Sequence, residues 1–188
     1  WFTPSMSSMA SFEFGWLAAL WLRNAVVLTL VAGGLHWWLY MRKGQDQEFK
    51  FHRRWMDTNN DKFLWGDQVR DNMFWTLASG VTIWTAYEVL MFWAMANGYA
   101  PVLTWAAHPI WFVALFLLIP VWESFYFYWI HRALHWPPLY KVAHALHHRN
   151  INVGPWSGIS MHPFEHLVYF SGFLIYWIIP SHPLHFMH

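Results

Sequence analysis

The chain alternates long apolar runs with short polar interruptions, and the lengths of those runs bound what it is. Residues 14–40 are apolar apart from Arg23, Asn24 and His36, which predicts a first membrane-spanning helix at about 17–40. Charge then crowds residues 41–71, where seven of the eleven Lys/Arg and six acids fall. This segment is predicted to be a loop in water, on the cytoplasmic side by its basic excess. A second apolar run, MFWTLASGVTIWTAYEVLMFWAMA at 73–96, is long enough to span, with Glu88 as its one charge. An uncharged connection, 97–108, leads into a third predicted span at 109–130, which contains Pro120 and Glu123 and ends on the cytoplasmic side at His131.

The following stretch, 131–161, is polar and His-rich, with Pro137 and Pro138 separating two short helical pieces. The last apolar run, 167–179, has about thirteen residues before Pro180, short of the roughly 20 that a simple span needs. A re-entrant or broken helix is expected there. The pattern therefore predicts an all-α fold: a polytopic membrane helical bundle of about three full spans plus that short fourth helix, under a His-rich cytoplasmic cap. No repeat or linker divides it, so a single domain over 1–188 is expected.

Composition strengthens the membrane reading. Only 11% of residues are charged, against roughly 25% in a soluble domain, and seventeen tryptophans suit the headgroup level of a bilayer. A net charge of +1 offers no basic face for nucleic acid. The absence of cysteine excludes disulfides, thiolate metal sites, Fe–S clusters and cysteine nucleophiles.

Candidate chemistry lies in the histidines, ten of thirteen of which fall in 131–188. His131 and His135, in HRALH, are spaced to share one helix face one turn apart, which suits two imidazoles on one metal ion. His144, His147 and His148, in HALHH, repeat that logic at i, i+3, i+4, and His162 and His166, in HPFEH, bracket Glu165. Seven imidazoles within 36 residues would repel each other if protonated and need many partners if buried, whereas metal ions satisfy them together. His36, His52 and His108 are isolated and read as hydrogen-bonded or interfacial residues. Imidazole suits zinc, copper, iron and nickel alike, but so many nitrogen donors exceed the needs of one zinc ion. Two metals are expected, and nitrogen-rich ligation with open positions is compatible with non-haem iron that activates O₂.

The runs ESFYFYWIHRALH, LYKVAHALHH and MHPFEH resemble the fatty acid hydroxylase and sterol desaturase superfamily of membrane di-iron enzymes. In that family an acid two helical turns ahead of YWxHRxxH is followed by HxxHH, and a later HxxHH completes the site. Glu123, Tyr128, Trp129, His131, Arg132, His135, His144, His147 and His148 match the first two boxes position by position. The resemblance is specific over about 120–170 and looser before it. No third HxxHH follows His148; His182, His185 and His188, in SHPLHFMH, look like the histidines preceding that box, and truncation ahead of it is the expectation.

What the resemblance implies is a hydroxylase or desaturase that uses O₂ and external electrons on a lipid or sterol-like substrate. The expected metal ligands are His131, His135, His144, His147, His148, His162, His166 and His185, holding two iron ions with zinc as a possible substitute. Glu165, Glu123 and Tyr128 are candidate partners that orient the imidazoles. No GxGxxG loop and no haem-attachment CxxCH occurs, so a separate protein is expected to deliver electrons. Two rivals stand beside this reading, a haem or electron-transfer protein with paired axial histidines and a His-rich metal transporter. A third pattern, DTNNDKFLWGDQ at 57–68, has acids and amides at the first, third and fifth positions of a calcium loop but lacks its glycine and final glutamate. It reads instead as a solvated turn in which Asp61 or Asp67 caps the next helix.

Overall fold

The computed structural model describes residues 3–186. Its ordered elements are helical: α1 (Phe14–His36), α2 (Gln68–Phe74), α3 (Thr82–Ala96), α4 (Pro109–Leu134), α5 (Pro137–Leu139), α6 (Ala145–His148) and α7 (Pro163–Phe170). The all-helical expectation is met, with isolated bridges in place of strands among the described residues. Wider π turns extend α1 through Trp37–Met41, join α2 to α3 through Trp75–Val81, and join α5 to α6 through Tyr140–His144.

Two helices, Phe14–Met41 and Pro109–Leu134, are long and apolar enough to cross a membrane. Their apolar side chains point outward: Leu30 is 70% exposed on α1, and Ile110 and Leu117 on α4 are 86% and 72% exposed. Such a surface is costly in water and matched to hydrocarbon. The predicted second span differs. Its residues form the continuous α2–α3 run, but Gln68, Asp71, Asn72, Thr76, Ser79, Thr85 and Glu88 are buried along it. Three- and four-residue spacing puts most of these on one face, so the run has a polar interior stripe as well as apolar sides. At the other end of the chain, the helix predicted to be broken changes from α geometry in α7 to a 3₁₀ run at Ser171–Trp177, ahead of Pro180.

The chain divides into two compact units. The first comprises residues up to 22, 83–133 and 167 onward. Its core is apolar and aromatic, built from Met9, Trp16, Leu20, Met91, Phe92, Leu115, Ile119, Tyr176 and Phe186. The Tyr176 and Phe186 rings lie 4.4 Å apart between centroids, and Phe92 meets Phe186 edge-on at 5.3 Å. Gly172 lets Tyr126 pack against the backbone, since a Cβ there would come within 2.9 Å of the ring. The Tyr126 hydroxyl in turn shares a 2.6 Å hydrogen bond with Ser171.

The second unit comprises residues 23–82 and 134–166, and its interior is polar. Asp67 caps α2 by accepting the Arg70 N–H at 2.9 Å, as the turn reading expected. The 57–68 loop closes on itself, with Asn60 donating to Asp57 at 2.7 Å and the Gln68 N–H donating to the Asp57 carbonyl at 3.0 Å. The Gln68 amide donates to Asn150 Oδ1 and to the Asn152 carbonyl, and the Thr76 hydroxyl donates to the Trp156 carbonyl. One guanidinium nitrogen of Arg149 donates to both oxygens of the fully buried Asp71, whose Oδ1 also accepts the Leu64 N–H. These bonds tie α2 to the segment that follows α6.

Asp71→Asn removes the countercharge of a mostly buried guanidinium, a change that typically costs about 3 kcal/mol or more. We expect a clear drop in the thermal unfolding midpoint of the detergent-solubilised protein. An unchanged midpoint would mean that this pair does not hold the second unit together.

Candidate metal centre

The site begins where α4 ends. Leu134 is the last residue of that helix, His135 follows in a turn, and Pro137 opens α5 with its fixed φ. His131 sits one helical turn before His135 along the same stretch of chain, the spacing that carries two side chains to one side. The π turn at Tyr140–His144 then feeds directly into α6. One-turn π insertions recur at functional sites because they rotate the side chains that follow.

Within the second unit, His135, His144 and His148 converge, their ligand atoms lying within 4.8 Å of one another. The His144 and His148 rings are 4.4 Å apart between centroids, and their Nε2 atoms face each other at 2.9 Å. His135 lies 4.8 Å and 4.9 Å from these two rings, and the Tyr140 ring borders all three. His147 stacks 5.8 Å from His144 and is not among the converging ligand atoms.

His144 is wholly buried, and its Nδ1 lies 2.7 Å from Oε1 of the buried Glu165, supplied by α7. An ionised carboxylate can only accept, so pairing with it puts the proton on Nδ1 and leaves Nε2 as a lone pair facing the cluster. The other oxygen, Glu165 Oε2, is buried without a hydrogen-bond partner. Burial pushes the Glu165 carboxyl up to about 8, so a nearby cation is what would favour its ionised form near neutrality. Burial, together with His135, lowers His148 and favours its neutral, ligating form. Imidazole lone pairs, a carboxylate behind one ring and an unsatisfied acidic oxygen are the donor set of a cation site.

The remaining expected ligands are used differently. His166 is buried between the Ser79 hydroxyl, 2.8 Å from Nδ1, and the Ile159 carbonyl, 2.9 Å from Nε2. Burial pushes it down to about 4, so it is neutral at physiological pH. Gly80 makes room for it, since a Cβ there would lie 3.1 Å from Nε2. His162 turns Nδ1 onto the Phe164 N–H at the start of α7, acting as its cap. In the first unit, His185 Nε2 faces the Phe112 carbonyl at 3.0 Å and Nδ1 accepts the His182 N–H at 3.0 Å. For His166 and His185 alike, both ring nitrogens are therefore taken. His188 lies outside the described residues. Tyr128 is 53% exposed and accepts from Arg132 at 2.8 Å, while Glu123 sits partly buried in the middle of α4.

Sequence reasoning missed Ser79, which braces His166, and Tyr140, which borders the cluster. Ser79 was legible in principle, as part of the polar stripe through Gln68, Asn72 and Thr76. Tyr140 carries no such signal.

Residues 113–188 match the fatty acid hydroxylase family. A Delta(7)-sterol 5(6)-desaturase of Gibberella zeae is 38% identical over 55 residues, which are 29% of this chain and 17% of that protein. A methylsterol monooxygenase of Aspergillus fumigatus is 46% identical over 37 residues, 20% of this chain and 11% of the relative. A very-long-chain aldehyde decarbonylase of Oryza sativa subsp. japonica is 40% identical over 76 residues, 32% of this chain and 12% of the relative. The chain thus spans between 11% and 17% of the length of these curated relatives. No solved structure matches. The family match and these relatives together show that residues 113–188 are similar to the fatty acid hydroxylase family, and the proteins that the chain resembles include a sterol desaturase and a methylsterol monooxygenase.

Proposed function

We propose that this chain is the histidine-bearing part of a membrane di-iron oxygenase that hydroxylates or desaturates a lipid or sterol-like substrate. The observation that carries the reading is the convergence of His135, His144 and His148 in front of the buried Glu165. His131 joins them in this proposal from the preceding helical turn, and His147 lies beside them. These residues hold two iron ions, with zinc able to substitute in the same nitrogen-rich set. The cluster faces the cytoplasm, where a separate protein delivers electrons.

Bound iron supplies the O₂ chemistry needed to oxidise an unactivated C–H bond. The chain's own residues do the rest. Glu165 keeps the His144 proton on Nδ1 and directs Nε2 inward. Burial of His144 and Glu165 keeps water away from the hydrogen bond between them and strengthens its electrostatics. Ser79 and the Ile159 carbonyl fix His166, and with it the part of α7 that carries Glu165. An apolar substrate reaches such a site laterally from the bilayer, along the exposed apolar sides of α4.

The test uses the full-length protein, purified in detergent, with its metals counted by mass spectrometry. We expect about two irons per chain, O₂ uptake when reductant is added, and a hydroxylated or desaturated product from sterol or fatty-acyl substrates. A fully iron-loaded protein that consumes no O₂ and oxidises no lipid would sink the proposal. Reduced samples should lack the sharp visible bands of haem.

Glu165→Gln keeps the shape of the side chain and removes its charge. Loss of a carboxylate that orients a metal-binding histidine typically costs about 10- to 100-fold in affinity, and we expect that loss in a chelator-competition titration. Helical content should be unchanged. Wild-type affinity in this variant would remove Glu165 from the site.

A further inference from the structure

The segment just beyond α1 has an arrangement that the oxygenase reading does not use. Arg42, Lys43, Lys50, Arg53 and Arg54 stand against only two acids, Asp46 and Glu48, between residues 42 and 54. Among the described residues none of these five cations is in an ion pair. Three of them lie on rings instead. The Arg42 guanidinium is 4.8 Å from the Trp37 centroid, and the Lys43 and Lys50 ammonium groups lie 4.8 Å and 5.1 Å from Trp55. Lys50 is also 4.5 Å from Tyr40. Two ammonium groups converging on one indole repel each other, and an anion between or beside them relieves that repulsion.

The same segment exposes large apolar side chains, with Phe49 72% and Phe51 96% accessible. Both line a cleft with Tyr40, Lys50 and Asn152. The backbone around them is held at both ends. Gly44 turns against Trp38 so closely that a Cβ would meet the indole at 2.5 Å. Further on, Asn152 donates to the Arg54 and Trp55 carbonyls at 3.0 Å each. A braced loop thus presents phenylalanines and unpaired cations together, at the end of a helix apolar enough to cross a membrane. Phenylalanine seeks the acyl boundary and Lys/Arg seek phosphate, and both are available at the surface of an anionic leaflet.

We propose that residues 41–55 form an interfacial anchor that binds anionic phospholipid headgroups, with phosphate against Lys43, Lys50 and Arg53 and with Phe49 and Phe51 among the upper acyl chains. The anchor requires α1 to lie in the bilayer but is independent of the metal chemistry. It fixes the membrane depth of the loop leading to α2.

The chain has no cysteine, so His52→Cys gives a single site for an environment-sensitive fluorophore while keeping both phenylalanines. The full chain is placed in nanodiscs of phosphatidylcholine, alone or mixed with phosphatidylglycerol, each containing lipid brominated near the headgroup. We expect quenching about twofold stronger or more in the anionic discs. Combining Lys43→Gln, Lys50→Gln and Arg53→Gln should return it to the phosphatidylcholine level, and Phe49→Ser with Phe51→Ser should weaken it in both discs. Equal quenching in the two disc types would overturn the proposal, as would quenching indifferent to the phenylalanines. Blue-shifted but unquenched emission in both, the signature of burial against protein, would overturn it too.

Discussion

The hydrogen bond between Glu165 and His144 is the interaction on which the site's organisation depends. Both side chains are buried, and at 2.7 Å Glu165, once ionised, decides which ring nitrogen of His144 is free. Without that bond the proton could sit on Nε2, and the face turned toward His148 would present a donor instead of a lone pair. The contact also joins two parts of the sequence, α7 and the end of the π turn before α6, that are 21 residues apart. Orientation of one imidazole and closure of a loop are therefore the same event.

The polar stripe on α2 and its π continuation supplies the framework around this bond. Asp71 holds Arg149, one residue beyond His148, while Gln68, Thr76 and Ser79 hold Asn152, Trp156 and His166 in turn. The bonds to Arg149, Asn152 and Trp156 run to the segment between α6 and α7, and the bond to His166 runs to α7 itself, so the backbone there is fixed without a strand or a further helix. Buried polar groups are costly unless partnered, and this mutual satisfaction is what allows a largely apolar chain to keep a polar interior. Outside that interior, the long faces of α1 and α4 are apolar and exposed, the inverse of a water-soluble arrangement.

Much of this was legible in the sequence because it depends on local period. The four-residue spacings of HRALH and HALHH carried the cluster, Asp67 before α2 carried its cap, and Pro180 with a thirteen-residue apolar run carried the broken helix. What was not legible depends on partners distant in sequence. Nothing in HPFEH says that His166 will meet Ser79, 87 residues away, or that His162 will cap a helix. The run at 73–96 read as an ordinary span because Thr and Ser are mild interruptions of hydropathy, although their spacing already marked one face. The π turn at 75–81 also shifts that face by a residue, which no window based on the ideal helix captures.

The histidines show how one side chain meets two ends in the same molecule. His166 and His185 are as buried as His144, yet their ring nitrogens are answered by a hydroxyl, backbone carbonyls or an N–H. A neutral ring with both nitrogens engaged is a structural cross-link and has no lone pair to give. His144 and His148 instead turn the same atom, Nε2, toward each other at 2.9 Å, with a carboxylate fixing the opposite side of one ring. Two lone pairs cannot face each other at that distance without a proton or a metal ion between them. A proton satisfies one pair of atoms along one line, whereas His135 arrives at the same point from a different direction. Three nitrogens converging from separate elements form a group able to hold one metal ion, and Glu165, with one oxygen buried and unpartnered, stands behind one of the three rings.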